Sequence, residues 1–521
     1  MQILLIAPLV ERGNRYLFPL GLAYLSSSLK QAGFNVHCHN QAFDRDPGGT
    51  LRELLERVRP DVVGVGGLTP SFGPIREVVE TVRRELPSAL TLLGGGVLSS
   101  APETVFRAIP AHIGVIGEGE VTSVELLTAV RDGGALGAIP GLVIRDAGGG
   151  FTATPPRELL ADIDAIPFPD YAGFGLEQCL KHVNGTIDII ASRGCPFMCT
   201  FCYSALGRRR HRLRSLDNLF AEIDLLATAF PVERFGIMDE LFSANPERIR
   251  LFCDRMKAYG LPWYTQVRVD SVDRDTLRYM AQANCKTVFY GFESMSAPVL
   301  RSMNKKIRPE AVESAAELSY GVNMGVFANF IFGDPAETRE TATETLSWWF
   351  ANRRHLVNLG FITCWPGTKI YIDAVASGLI ADPRRFIEEG CPQLNLTAIP
   401  GDTFDQLASL VGTAHEAMLW PAKLLRVEDG PLGRDVACIC PHCQARVEHD
   451  GVTERSIPNN VAPVRLTVWM SPLPLSVTYP TGATSYRKAY LFRDFSNSSL
   501  DLRNSSSCFS SSSRRLMISP P

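Results

Sequence analysis

The strongest constraint on this chain is a repeated alternation. As far as about residue 370, short apolar runs are each followed by a stretch with helical spacing. QILLIAP (2–8), FNVHCHN (34–40), DVVGVGGL (61–68), ALTLLGGG (89–96) and IGVIGEGE (113–120) read as strands. Between and after them lie the helical stretches PLGLAYLSSSLKQAG (19–33), TLRELLERVRP (50–60), IREVVETVRREL (75–86) and SVELLTAVRDGG (123–134). Strands joined through helices run parallel, because a hairpin turn leaves no room for the crossover. The first series therefore predicts a doubly wound, Rossmann-like α/β sheet over residues 1–150. A second series follows a linker (151–180) that contains the proline-rich DAIPFPDY (164–171). Its strands are IDIIASRG (187–194), ERFGIMDE (233–240), YTQVRVD (264–270), TVFYGFES (287–294), VFANFIFGDP (326–335) and FITCWPGT (361–368). Six strands with helices between them predict a partial (β/α)6, TIM-like barrel over 181–370, with its chemistry at the strands' carboxyl ends. A small helical C-terminal region (371–430), a cysteine knuckle (431–455) and a tail (456–521) complete the chain. The tail's serine runs and prolines lack periodicity, which predicts disorder.

Charge and hydropathy narrow the function. Fifty-two basic against 55 acidic residues leave a net charge of −3, with no support for a nucleic-acid partner. The apolar opening MQILLIAPL ends too soon to span a bilayer, and no long apolar run follows, so a soluble, cytoplasmic chain without a membrane span is expected. Thirteen cysteines in such a chain are not a disulfide framework. Most are scattered singly, but Cys195, Cys199 and Cys202 share one loop, SRGCPFMCTFCYS, directly after a predicted strand. Three thiolates can hold three irons of a cubane cluster, whose full ligation takes four, leaving one iron open. Zinc is the alternative, but structural zinc is closed by four ligands, and His211 is the one nearby candidate for a fourth.

Other stretches carry weaker signals. Glycine-rich turns fall at the carboxyl ends of the first strand series: Pro19-Leu20-Gly21, Gly66-Gly67, Gly94-Gly95-Gly96 and Gly117-Glu118-Gly119. They are either tight turns or places where a bulky ligand meets the backbone, and none forms GxGxxG. RRRHRLR (208–214) reads equally as an anion contact or a solvated basic face. Trp348-Trp349-Phe350 reads as helix packing. Cys438, Cys440 and Cys443, with His442 or His449, resemble half of a zinc ribbon or rubredoxin-like knuckle that lacks its second half, so no metal, or a weak site, is expected there.

CxxxCxxC with an aromatic, Phe201, before its last cysteine resembles the radical S-adenosylmethionine (SAM) superfamily. Downstream, MDELFSANPERI (238–249), RVDSVD (268–273), YGFESMSAPVLRSMNK (290–305), FIFGDPAET (330–338) and CWPGT (364–368) are similar to that family's later strand segments, in order. The resemblance implies a [4Fe-4S] cluster on Cys195, Cys199 and Cys202, with SAM chelated at the open iron. It also implies that Phe201 lies against adenine, that Asp239 and Glu240 receive the methionine ammonium, that Glu293 accepts from the ribose hydroxyls, and that Gly333 belongs to the cofactor site.

The N-terminal half resembles the cobalamin-binding domain of the B12-dependent class. That implies a corrin on the sheet's carboxyl edge against Pro19, Gly21, Gly66, Gly67, Leu68, Thr69, Gly94, Gly95, Gly96, Gly117 and Glu118. The DxHxxG whose histidine ligates cobalt in related proteins is absent; FDRDPGGT (43–50) holds no histidine, and His37 and His39 read as structural. Base-off cobalamin without a histidine ligand is the expectation. Family chemistry then implies reductive SAM cleavage to a 5′-deoxyadenosyl radical and methylation of an unactivated carbon or phosphorus of a small molecule. A protein such as flavodoxin or ferredoxin would supply the electron. The alternative is oxidative ring closure or rearrangement, of the magnesium-porphyrin ester cyclase kind. A tRNA methylthiotransferase needs three N-terminal cysteines where this chain has only Cys38. A carrier without catalysis would leave Glu240 and Glu293 without purpose.

Overall fold

The computed structural model describes residues 1–9, 18–203, 210–352, 356–417, 420–430, 433–439, 446–452, 465–470 and 489–494. They fall into two units, Met1–Ala414 and His415–Pro521.

In the first unit, β1 (Gln2–Ala7), β2 (Asn35–Asn40), β3 (Val62–Gly66), β4 (Leu90–Gly94) and β5 (Ile113–Val115) are parallel, in the order β2-β1-β3-β4-β5. Alternate residues of β1 enter different cores: Leu4 and Ile6 pack on one face, Ile3, Leu5 and Ala7 on the other. A strand buried on both faces reads as a continuous apolar run because helices cover both sides of the sheet. β2 and β3 flank β1 on opposite sides, so the strand order reverses there and opens a crevice at the carboxyl ends. The sheet continues into an antiparallel hairpin, β6 (Leu142–Arg145) and β7 (Phe151–Ala153), which was not expected. Both strands are short, four and three residues, and two of the three residues of β7 are exposed, so neither shows a strand's alternation.

The second sheet has six parallel strands: β8 (Thr186–Ile189), β11 (Arg234–Ile237), β12 (Trp263–Val267), β13 (Cys285–Glu293), β14 (Gly325–Phe332) and β15 (Leu356–Phe361). β8 and β15 are its edges, as a partial barrel requires. Between β8 and β11, the two-residue strands β9 (Ser192–Arg193) and β10 (Arg212–Leu213) pair antiparallel. The sixth strand lies before the segment expected to form it. Leu356–Phe361 makes the ladder to β14, and most of FITCWPGT is the loop at its carboxyl end. Cys364 and Ile370 there turn back into the core shared with the first sheet. Trp349 is buried, its indole donating to the Val357 carbonyl at 2.9 Å, and Trp348 packs edge-on against Phe292 and Phe330, so both tryptophans are helix packing, while Phe350 is exposed.

The second unit contains a five-stranded antiparallel sheet ordered β18-β17-β16-β19-β20. Its strands are β16 (Trp420–Gly430), β17 (Gly433–Ile439), β18 (Arg446–Val452), β19 (Arg465–Met470) and β20 (Ala489–Asp494). Two expectations change here. The end of the region expected to be helical is a strand, and the tail expected to be disordered contributes two. Trp420 pairs with Met470, a partner fifty residues on that local periodicity cannot reveal. The rest of the tail lies outside the described residues, as do Cys440, His442 and Cys443 of the knuckle; Cys438 is on β17 and His449 on β18.

Candidate active site

The cysteine loop is built on the β9–β10 hairpin. Asp239, just beyond β11, accepts from the Ala191 N–H and the Ser192 hydroxyl, each at 2.6 Å, and is almost wholly buried. It anchors the backbone that leads into Cys195. Segment 303–305 holds the loop's middle: Thr200 N–H donates to the Met303 carbonyl at 3.0 Å, and the Asn304 amide donates to the Met198 carbonyl at 2.7 Å. Burial raises the Cys195 and Cys199 thiols, while Arg268 and Lys305 pull both down; Glu240 pushes up the first and Glu293 the second. Cys202 is exposed at its surface but closely surrounded by protein, and that partial desolvation, followed by the other two thiols and Glu240, raises it. Three thiols that oppose one another's ionisation fit a positively charged iron core, which relieves that repulsion. Among the described residues, no three His, Cys, Asp or Glu side chains converge on a point where one metal ion could be held, as four-coordinate zinc demands. His211, the alternative fourth ligand, instead lies against the Leu241 backbone and Arg248.

Two cavities adjoin this loop. The larger, about 650 Å³, occupies the switch-point crevice of the first sheet. Pro19, Gly21, Gly66, Gly67, Leu68, Gly94, Gly95, Gly96, Gly117 and Glu118 all line it, and no histidine does among the described residues. Thr69 is buried and does not line it. Glycine is required in this floor. A Cβ on Gly95 (φ 82°) would stand 2.7 Å from the Gly67 carbonyl oxygen, and one on Gly66 would stand 2.8 Å from that of Gly94. The opposite wall comes from the barrel: Arg193, Gly194, Tyr203, Met238 and Glu240. Tyr203 donates its hydroxyl to the Gly96 carbonyl at 2.9 Å, joining the cysteine loop to the glycine floor. His37 bonds Gln2 and His39 bonds Asp44, both away from the cavity. An apolar crevice with a glycine floor and no imidazole fits a corrin held without a histidine ligand.

The smaller cavity, about 390 Å³, lies within the barrel sheet and is lined by Phe201 and Glu293 together with Gln266, Asn329, Asn358 and Trp365. Glu293 sits at a bulge with φ 61°, and its carboxylate accepts from Lys305 Nζ at 2.6 Å. A Cβ on Gly291 would stand 2.7 Å from that Nζ, so glycine there leaves room for the pair.

Besides Thr69, two expected contacts are corrected. Asp239 touches neither cavity, because both its oxygens are taken by the Ala191–Ser192 strand. Gly333 does not line the smaller cavity; its N–H donates to Glu337 at 2.6 Å, ordering the turn after β14. Within the basic stretch Arg210 is exposed, but Arg212 and Arg214 are neither solvated nor free for an anion: Arg212 pairs with Glu118 at 2.6 Å, and Arg214 pairs with Glu222, all four side chains being largely buried. Arg208 and Arg209 lie outside the described residues. Sequence reasoning missed Arg193, Tyr203, Met238 and Arg268. Arg193 and Tyr203 flank the cysteines, and Met238 and Arg268 open the segments 238–249 and 268–273, but nothing local assigned any of the four a role.

A sheet-edge crevice for a corrin, facing a three-cysteine loop at the mouth of a parallel barrel sheet, defines a class of enzyme that joins two cofactor chemistries. Comparison with known proteins agrees. Residues 8–127 match the B12 binding domain family, and residues 189–348 match the radical SAM superfamily. An uncharacterized methyltransferase of Pyrococcus horikoshii is 28% identical over 391 residues, 73% of this chain and 84% of that protein. The anaerobic magnesium-protoporphyrin IX monomethyl ester cyclase of Cereibacter sphaeroides is 28% identical over 395 residues, 71% of this chain and 63% of its own. The radical SAM methyltransferase TsrM of Kitasatospora setae shares the fold, with a TM-score of 0.62 and 21% identity over 73% of this chain and 77% of that one. The chain therefore carries a B12 binding domain followed by a radical SAM domain. The two domains make it a radical SAM enzyme with a B12-binding domain. Among the described residues, no helix is long and apolar enough to cross a membrane.

Proposed function

We propose that this enzyme methylates an unactivated carbon or phosphorus of a small-molecule substrate, in the cytoplasm, using an electron from a flavodoxin or ferredoxin. The observation that carries this reading is the shared wall between the corrin cavity and the cysteine loop, formed by Gly194, Tyr203, Met238 and Glu240. When bound, the cluster and SAM supply radical chemistry and cobalamin supplies a transferable methyl group; the protein's part is to orient them and exclude water. Cys195, Cys199 and Cys202 would hold the cluster. Glu293, bulged from β13, would present its carboxylate to ribose hydroxyls once released from Lys305, and Phe201 would flank the adenine. Leu68, 62% exposed, would offer the corrin an apolar surface with no ligating atom.

The test is protein purified without oxygen from cobalamin-fed cells, assayed for iron and cobalt, then turned over with methyl-deuterated SAM. Cobalt together with a deuterated methyl group on a product supports methyl transfer. Iron without cobalt removes it. A second reading, oxidative cyclisation, is favoured by the similarity to the Cereibacter sphaeroides cyclase. A product two hydrogens lighter, without deuterium, would select that reading.

A further inference from the structure

We propose that Arg268 is a positioning residue for the iron–sulfur cluster: its buried guanidinium, stacked on Phe197 inside the cysteine loop, stabilises the reduced cluster and raises its reduction potential. This assignment rests on reading Cys195, Cys199 and Cys202 as the cluster's ligands. Arg268 follows β12 and is only 9% exposed. Its guanidinium carbon lies 3.7 Å from the centroid of the Phe197 ring, which stands between Cys195 and Cys199 in the chain. The fork is fixed from behind. Nε and Nη2 bond Asp270 at 2.9 and 3.0 Å, and Nη2 also donates to the Lys305 carbonyl at 3.0 Å. Lys305 Nζ in turn lies 6.0 Å from the Phe201 ring, so both phenylalanines of the loop face a cation.

A buried guanidinium is costly unless something nearby uses its charge. Asp270 repays only part of that cost, because its carboxylate is 37% exposed and screened by water. The cubane offers the missing partner. With three thiolates it carries one net negative charge when oxidised and two when reduced. The electron comes from an external low-potential one-electron donor, and no bond forms or breaks. A fixed cation in a low-dielectric pocket favours the more negative state, and net charge is among the levers that set cluster potentials.

The experiment is an EPR-monitored redox titration of the reconstituted full chain, without SAM, with iron content measured on each sample. Arg268→Gln is expected to load about four irons and to titrate lower than wild type by roughly 59 mV, a tenfold change for one electron. Arg268→Lys keeps the charge but loses the planar fork, and is expected to fall less than half as far. Arg268→Gln with a full cluster at the wild-type potential overturns the proposal. If Arg268→Gln does not retain a cluster, Asp270→Asn decides. It leaves Arg268 in place without its counter-charge, so a raised potential supports the role and an unchanged or lowered one overturns it. Failure of wild type to assemble any cluster would instead defeat the ligand reading beneath it.

Discussion

At the scale of single residues, the site divides into groups that meet cofactors and groups that hold those groups in place. Cys195, Cys199 and Cys202 belong to the first kind, and replacing any one with Ala is expected to abolish both iron loading and 5′-deoxyadenosine formation from SAM under reduction. Chromatography of the nucleoside checks this, and formation retained in all three variants would remove the assignment. Glu337 belongs to the second kind. It is 1% exposed, and burial pushes its carboxyl up to about 7, with the Asp334 charge adding to the rise and the Gly333 N–H opposing it. An acid whose folded value lies above its unfolded one makes the folded state bind more protons, so stability falls as pH rises from about 4.5 to about 7. At about 1.4 kcal/mol per unit the loss reaches about 3 kcal/mol. Glu337→Gln keeps an acceptor for the Gly333 N–H without the charge. It is expected to raise Tm at pH 8 and leave it nearly unchanged at pH 5, as thermal unfolding at both pH values will reveal.

At the scale of elements, the sequence was legible where period and spacing carried the information. Parallel strands β1 to β5 and the six-stranded barrel sheet follow from alternating apolar runs and amphipathic stretches. The cysteine spacing located the loop. Boundaries that depend on partners were not legible: β15 ends where FITCWPGT was expected to begin its strand, and β19 and β20 owe their existence to antiparallel pairing with distant residues. The glycine turns were located correctly, but the sequence left open whether they were tight turns or contact points. Geometry shows interlocked loops, in which Gly95 combines φ 82° with a near-contact to Gly67. Gly95→Ala is therefore expected to cost about 1–3 kcal/mol through strain at positive φ and to weaken hydroxocobalamin binding at least tenfold. Iron content should remain at the wild-type level. Spectrophotometric titration of cobalamin, beside an iron assay, separates the two effects.

At the scale of the whole first unit, a buried ionic cluster joins the two sheets. Arg193 and Arg212 face each other across the β9–β10 ladder, and both reach Glu118; Arg193 also meets Glu120 at 2.7 Å. Removing one member leaves a charge without its partner in a poorly solvated place. Arg212→Met is expected to lower unfolding free energy by about 3 kcal/mol. Lys181→Ala, which breaks the exposed pair with Glu177, should change it by less than about 0.5 kcal/mol. Urea denaturation of both variants checks the contrast; equal effects would show that the buried cluster clamps nothing. By itself the sequence determined the two αβ series, the cysteine loop and the glycine edge, because each is written in local periodicity or spacing. Only the tertiary structure decided that Asp239 anchors a strand, that Arg212 is a clamp, and that Tyr203 reaches Gly96 across 107 residues of chain. A side chain's partner is set by which elements pack together and in what register, and no local pattern records that.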